Sequence, residues 1–140
     1  MQGQLILRVV SKFLIPVIML FALYVQFHGE YGPGGGFQAG VIMASALIVH
    51  LLVFGLDETQ RVAPLPVLRA LSAAGVLLYG AVGVVAMLCG GNFLDYGALG
   101  PTAPSGQVIG ILLIELGVGI TVASTMVLLA YLFATRVRQR

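Results

Sequence analysis

Apolar residues run along this chain in four long blocks, and nearly every charged or turn-forming residue falls between them or at the ends. The blocks cover residues 5–27, 38–56, 70–89 and 108–134. The shortest blocks are 19 and 20 residues long. At ~1.5 Å per residue, the 19-residue block reaches about 28 Å as a helix, close to the ~30 Å hydrocarbon core of a bilayer. The pattern therefore predicts four membrane-spanning helices joined by connectors 28–37, 57–69 and 90–107. No small-residue cleavage site closes the first block before Gln26-Phe27-His28, so it is expected to be an uncleaved anchor helix.

Composition narrows the class further. Charged residues make up 9% of the chain, against roughly 25% in a soluble domain. So few charges cannot cover the surface of a small globule in water. The hydrophobic share, 59%, excludes disorder as well. The fold class expected is all-α integral membrane, in a single domain over residues 1–140. A net charge of +2 gives no reason to expect nucleic acid. The lone Cys89 forms no internal disulfide, and two histidines at opposite ends of a hairpin give no spacing for a metal. No nucleophile–base arrangement appears, so neither enzymatic activity nor a cofactor is expected. A chain of this length is short for a self-sufficient transporter, which favours a subunit of a larger assembly.

The seven bases sort by side. Arg8 and Lys12 precede or open the first span, Arg61 and Arg69 lie in the second connector, and Arg136, Arg138 and Arg140 lie in the tail. The other two connectors have no Lys or Arg. With four spans, all seven bases fall on one side, and the positive-inside rule makes both termini cytoplasmic. Asp57, Glu58 and Arg61 read as a polar cluster ending a helix, with a weak Asp57–Arg61 pair if the helix continues. Asp95 and Tyr96 are expected to be solvated. Small residues at spacing four form seams suited to close helix packing. These are Gly36/Gly40/Ala44, Gly117/Thr121/Thr125 and, on the third span, Ala70/Ala74 and Ala86/Gly90. The seams fit contacts within the chain or with neighbouring subunits.

Few ionisable side chains remain inside the spans. Glu115 falls seven residues into the fourth, about 10 Å below its end. A carboxylate at such depth costs several kcal/mol unless protonated, paired or hydrated, so it marks an ion path or an interhelical bond. His50 falls six residues before the other end of span two, at a different depth, so a direct His50–Glu115 pair is not expected. Lys12 is expected to snorkel to the interface. The connector HGEYGPGGGF places His28, Glu30 and Tyr31 beside Pro33 and three glycines. Proline fixes its φ, and glycine reaches conformations closed to other residues, so a sharp turn is expected, with Gly36 near the start of helix two. A helix N-terminus there would favour an anion or a carboxylate. No G-K-[ST] follows, which excludes a Walker-type loop.

The run YVQFHGEYGPGGGFQAGVI, residues 24–42, resembles the signature of the MnhB/MrpB family, the B subunits of Mrp-type multisubunit Na⁺/H⁺ antiporters. Pro33, Gly34, Gly35, Gly36, Phe37 and Gly40 carry the match. The resemblance implies a four-helix subunit of a hetero-oligomer in a bacterial inner membrane, with Na⁺ and H⁺ as transported ions. Many family members carry His three residues before the Pro; here that position is Glu30, and His28 lies two residues earlier. The ion-path candidates are then Glu115, His28, Glu30 and His50. A purely structural scaffold subunit, and the related subunit of a membrane-bound hydrogenase-type complex, are the alternatives.

Overall fold

The computed structural model describes residues 2–29 and 32–138. Four long helices carry the fold: α1 (Gln2–His28), α2 (Gly36–Phe54), α4 (Leu65–Leu88) and α5 (Ala103–Arg138). A short helix, α3 (Leu56–Val62), links α2 to α4, and a 3₁₀ turn (Tyr96–Leu99) precedes α5. No strand occurs among the described residues. All four long helices are apolar and long enough to cross a bilayer.

The helices pack in the spatial order α1, α2, α5, α4, so α5 sits between α2 and α4 while α1 lies on the far side of α2. Glycine makes both central contacts possible. A Cβ on Gly40 would stand 2.7 Å from the Gly119 carbonyl oxygen, and one on Gly75 would meet the Thr121 hydroxyl. Two faces of α5 are thus used inside the chain. One receives Gly36 and Gly40 of α2, and the other receives Gly75 of α4 through Gly117 and Thr121. Ser72 and Thr125 extend the second contact at 3.2 Å. On the third span, Ala86 is buried together with Gly75, Val82 and Gly83, whereas Ala70, Ala74 and Gly90 are exposed. Ala70 and Ala74 have the right spacing but occupy the face that α5 does not cover.

Both connectors outside the glycine turn are more structured than their polarity suggests. Gly55, with φ 89, ends α2 and lets α3 start one residue later. Within α3, Arg61 reaches Glu58 at 3.0 Å. At the opposite end, the Phe93 ring lies over Gly83 and the Tyr96 ring lies over Gly110. Tyr96 is therefore half-buried against α5, while Asp95 remains exposed. This docked connector lets α5 begin at Ala103, five residues earlier than the apolar block implied.

The main buried cluster lies at the end that holds the chain termini and comprises Ala44, Leu51, Ala63, Leu68, Val127 and Tyr131. The Tyr131 hydroxyl donates to the Ala63 carbonyl at 2.9 Å, tying α5 to the α3–α4 link. Removing that hydroxyl leaves a buried carbonyl unpaired, which costs about 1–3 kcal/mol. Tyr131→Phe should therefore lower the detergent-solubilised chain's unfolding midpoint in a thermal melt.

Candidate ion site at the glycine turn

The turn between α1 and α2 is built backbone against backbone. Pro33 cannot continue a helix, and the chain folds back so that the Gly35 N–H donates to the Val25 carbonyl at 3.3 Å. A Cβ on Gly34 would lie 2.8 Å from that same oxygen. Gly35 has φ 123, a region that side chains disfavour. Gly36 is the first residue of α2, and a Cβ there would collide with the Glu115 carbonyl. The turn thus rests directly on α5, about a third of the way along that helix.

That contact places the Glu115 side chain at the N-terminus of α2. A Cβ on Gly35 would stand 3.0 Å from Oε1, and one on Gly29 would stand 3.2 Å from both carboxylate oxygens. The carboxyl group fills space that side chains on these two glycines would occupy. It also lies near the positive end of the α2 dipole, where backbone N–H groups are not used within the helix. Glu115 lies twelve residues into α5, because that helix starts at Ala103. This is about 18 Å along the axis rather than about 10 Å. The glycine turn is at the same level, so α5 extends roughly 18 Å beyond it toward its N-terminus and roughly 35 Å toward its C-terminus. A half-buried carboxyl beside glycine backbone can exchange a proton or offer oxygen to a small hard cation.

A family model described as a domain related to the MnhB subunit of Na⁺/H⁺ antiporter matches residues 6–128. The chain belongs to the MnhB family. Relatives from Staphylococcus aureus strains Newman, JH1 and Mu3, each provisionally named antiporter subunit mnhB2, are 33% identical over 94 residues. The match covers 67% of this chain and 66% of each relative, so this chain spans just under two thirds of their length.

The other candidates in this MnhB chain are dispersed. His28 ends α1, is half-buried and stacks on Tyr24 with ring centroids 4.8 Å apart. Its Nε2 would lie 3.6 Å from a Cβ on Gly32, so it borders the turn. Glu30 lies outside the described residues. Phe37, at 63% exposure, points away from the packed core, whereas Gly36 and Gly40 are buried. His50 stands fourteen residues after Gly36 on α2, about 21 Å from the glycine turn. Its Nδ1 lies 2.8 Å from the Thr59 hydroxyl, which donates to the Gly55 carbonyl at 2.8 Å. With that hydroxyl proton committed, Nδ1–H is the donor to Thr59. Thr59 is fully buried. Thr59→Val should destabilise the α2–α3 corner by about 1–2 kcal/mol, seen as earlier proteolysis near Gly55.

One buried polar residue near the turn carries no signal in the sequence. Gln26 is 5% exposed, and its Oε1 would lie 2.6 Å from a Cβ on Gly119. Its Nε2 has no hydrogen-bond partner among the described residues. It lines an otherwise nearly apolar groove of about 230 Å³ with residues of all four long helices. Only the fold could single it out, because by position it is simply a polar residue near the end of a span. Gln38, exposed on the first turn of α2, brings its Oε1 within 3.4 Å of a Cβ on Gly35. Among the described residues, no three His, Cys, Asp or Glu side chains gather to hold a metal ion.

Proposed function

We propose that this chain is a small, non-catalytic subunit of a multisubunit Na⁺/H⁺ antiporter in a bacterial plasma membrane, and that Glu115 at the glycine turn belongs to its ion path. The observation carrying the second statement is the Glu115 carboxyl packed between Gly29 and Gly35 at the start of α2. Gln26, buried one turn away with an amide nitrogen that has no partner among the described residues, adds a second polar group to the same region. The row-like helix order leaves broad apolar faces on α1 and α4, as suits a subunit flanked by lipid and other subunits. Arg8, Lys12 and Arg61 line one cleft, and Arg69 and Arg136 another, both at the end away from the glycine turn. That clustering supports both termini lying in the cytoplasm, with the turn toward the outer side. Na⁺ and H⁺ are the proposed ions, and larger antiporter subunits the proposed partners.

A scaffold role is the second reading, and the Gly36–Glu115 backbone contact favours it, since a contact so close serves packing by itself. Two measurements test the main reading. A tagged chain purified from its own membrane should bring down antiporter subunits. Deleting the chain should abolish Na⁺-dependent proton exchange in everted vesicles, and returning it should restore the exchange. Co-purification of iron–sulfur proteins, or undiminished exchange without the chain, would overturn the assignment.

A further inference from the structure

A second polar feature lies at the opposite end of the molecule. Helices α1, α2 and α3 enclose a cleft of about 650 Å³, lined by Arg8, Lys12, His50, Phe54, Glu58 and Arg61 among others. That volume is within the ~300–1,000 Å³ range of small-ligand sites. Its charge is unbalanced. The one carboxylate on its wall, Glu58, is already paired with Arg61 at 3.0 Å. Arg8 and Lys12 form no ion pair among the described residues. Instead, the Arg8 guanidinium carbon and Lys12 Nζ each stand 6.0 Å from the centroid of the same Phe54 ring. Two like charges converging on one ring repel each other, and an anion held between them would remove that cost.

We propose that this cleft binds the phosphate headgroup of an anionic membrane lipid. The location selects a lipid over a soluble phosphate. The cleft opens at the base-rich end of the spans, where Ile15, Pro16, Phe54 and the exposed Val62 supply an apolar wall. Beside it, α1 presents exposed Val9 and Phe13, which give an acyl chain a surface to follow. Basic pockets between spanning helices on the cytoplasmic side commonly hold such headgroups. Arg8 supplies a planar fork for two phosphate oxygens, and Lys12 supplies a point charge beside it. The proposal does not depend on Glu115 or on the antiporter assignment.

Native mass spectrometry of the full chain in its detergent-purified complex tests the site, with phosphatidylglycerol and phosphatidylcholine as probes. Each basic side chain near the headgroup is worth roughly fivefold in affinity, so Arg8→Gln with Lys12→Gln should weaken phosphatidylglycerol binding about 25-fold. Phosphatidylcholine binding should not change, and Arg8→Lys with Lys12→Arg should keep most of the phosphatidylglycerol binding. Arg69→Gln, a base at the same end outside this cleft, should have no effect. Equal phosphatidylglycerol retention by wild type and the doubly neutralised chain would overturn the proposal. So would displacement of the lipid by millimolar inorganic phosphate, which would assign the cleft to a free anion. Circular dichroism matching wild type excludes misfolding as the cause of a loss.

Discussion

Gly36→Ala is expected to be the most damaging single-methyl change in the molecule. The added Cβ would meet the Glu115 carbonyl oxygen, and that oxygen belongs to the backbone of α5. No rotamer change can relieve the clash, so α2 and α5 must separate. Overpacking a core costs about 1–3 kcal/mol where side chains can adjust, and a contact with fixed backbone belongs at or above the top of that range. Gly40 and Gly119 lie on the same interface, so separation at Gly36 also loosens the contact one turn further along. Thermal melts in detergent should show a large fall in midpoint, and native gels should show less assembled complex. Gly80→Ala is the control. Nothing lies within 4 Å of a Cβ on Gly80, and alanine is the better helix former by about 0.5–1 kcal/mol. It should leave the midpoint unchanged or raise it. If Gly36→Ala melts like Gly80→Ala, the α2–α5 contact is looser than described.

The same interface shows what could be read from the sequence. Gly36 and Gly40 on α2, and Gly117 and Thr121 on α5, carried packing information because spacing four puts each pair on one face of its own helix whatever lies opposite. The partner of each face was not readable. Gly75 outranks Ala70 and Ala74 only because α5 passes it, and spacing alone does not distinguish a covered face from an uncovered one. The start of α5 was missed for a related reason. Residues 103–107 are polar or small, and they are helical because the 3₁₀ turn and Tyr96 pack against the first turns of α5. That error moved Glu115 too close to the helix end. Once α5 is extended, Glu115 and the glycine turn, which lie eighty residues apart along the chain, come to the same level.

Glu115→Gln should separate the carboxylate's chemistry from its shape. Glutamine keeps the length and the hydrogen-bonding ends but can neither release a proton nor carry charge. A positioned group that moves a proton typically contributes 10²–10⁴-fold to a rate, so Na⁺-dependent proton exchange should fall at least about 100-fold while the complex assembles normally. Glu115→Ala should lose exchange as completely, with the added effect of an empty space between Gly29 and Gly35. Gly35→Ala probes the same point without touching the charge. Its Cβ would stand 3.0 Å from Oε1, and φ 123 adds about 1–3 kcal/mol of backbone strain, so the carboxyl group must move. The ion-path reading therefore expects Gly35→Ala to reduce exchange more than it reduces the amount of assembled complex. Under the scaffold reading the order reverses: Glu115→Gln is silent, and Gly35→Ala lowers exchange only in proportion to lost complex. Measuring exchange per assembled complex for these two variants decides between the readings, because one alters charge without geometry and the other geometry without charge.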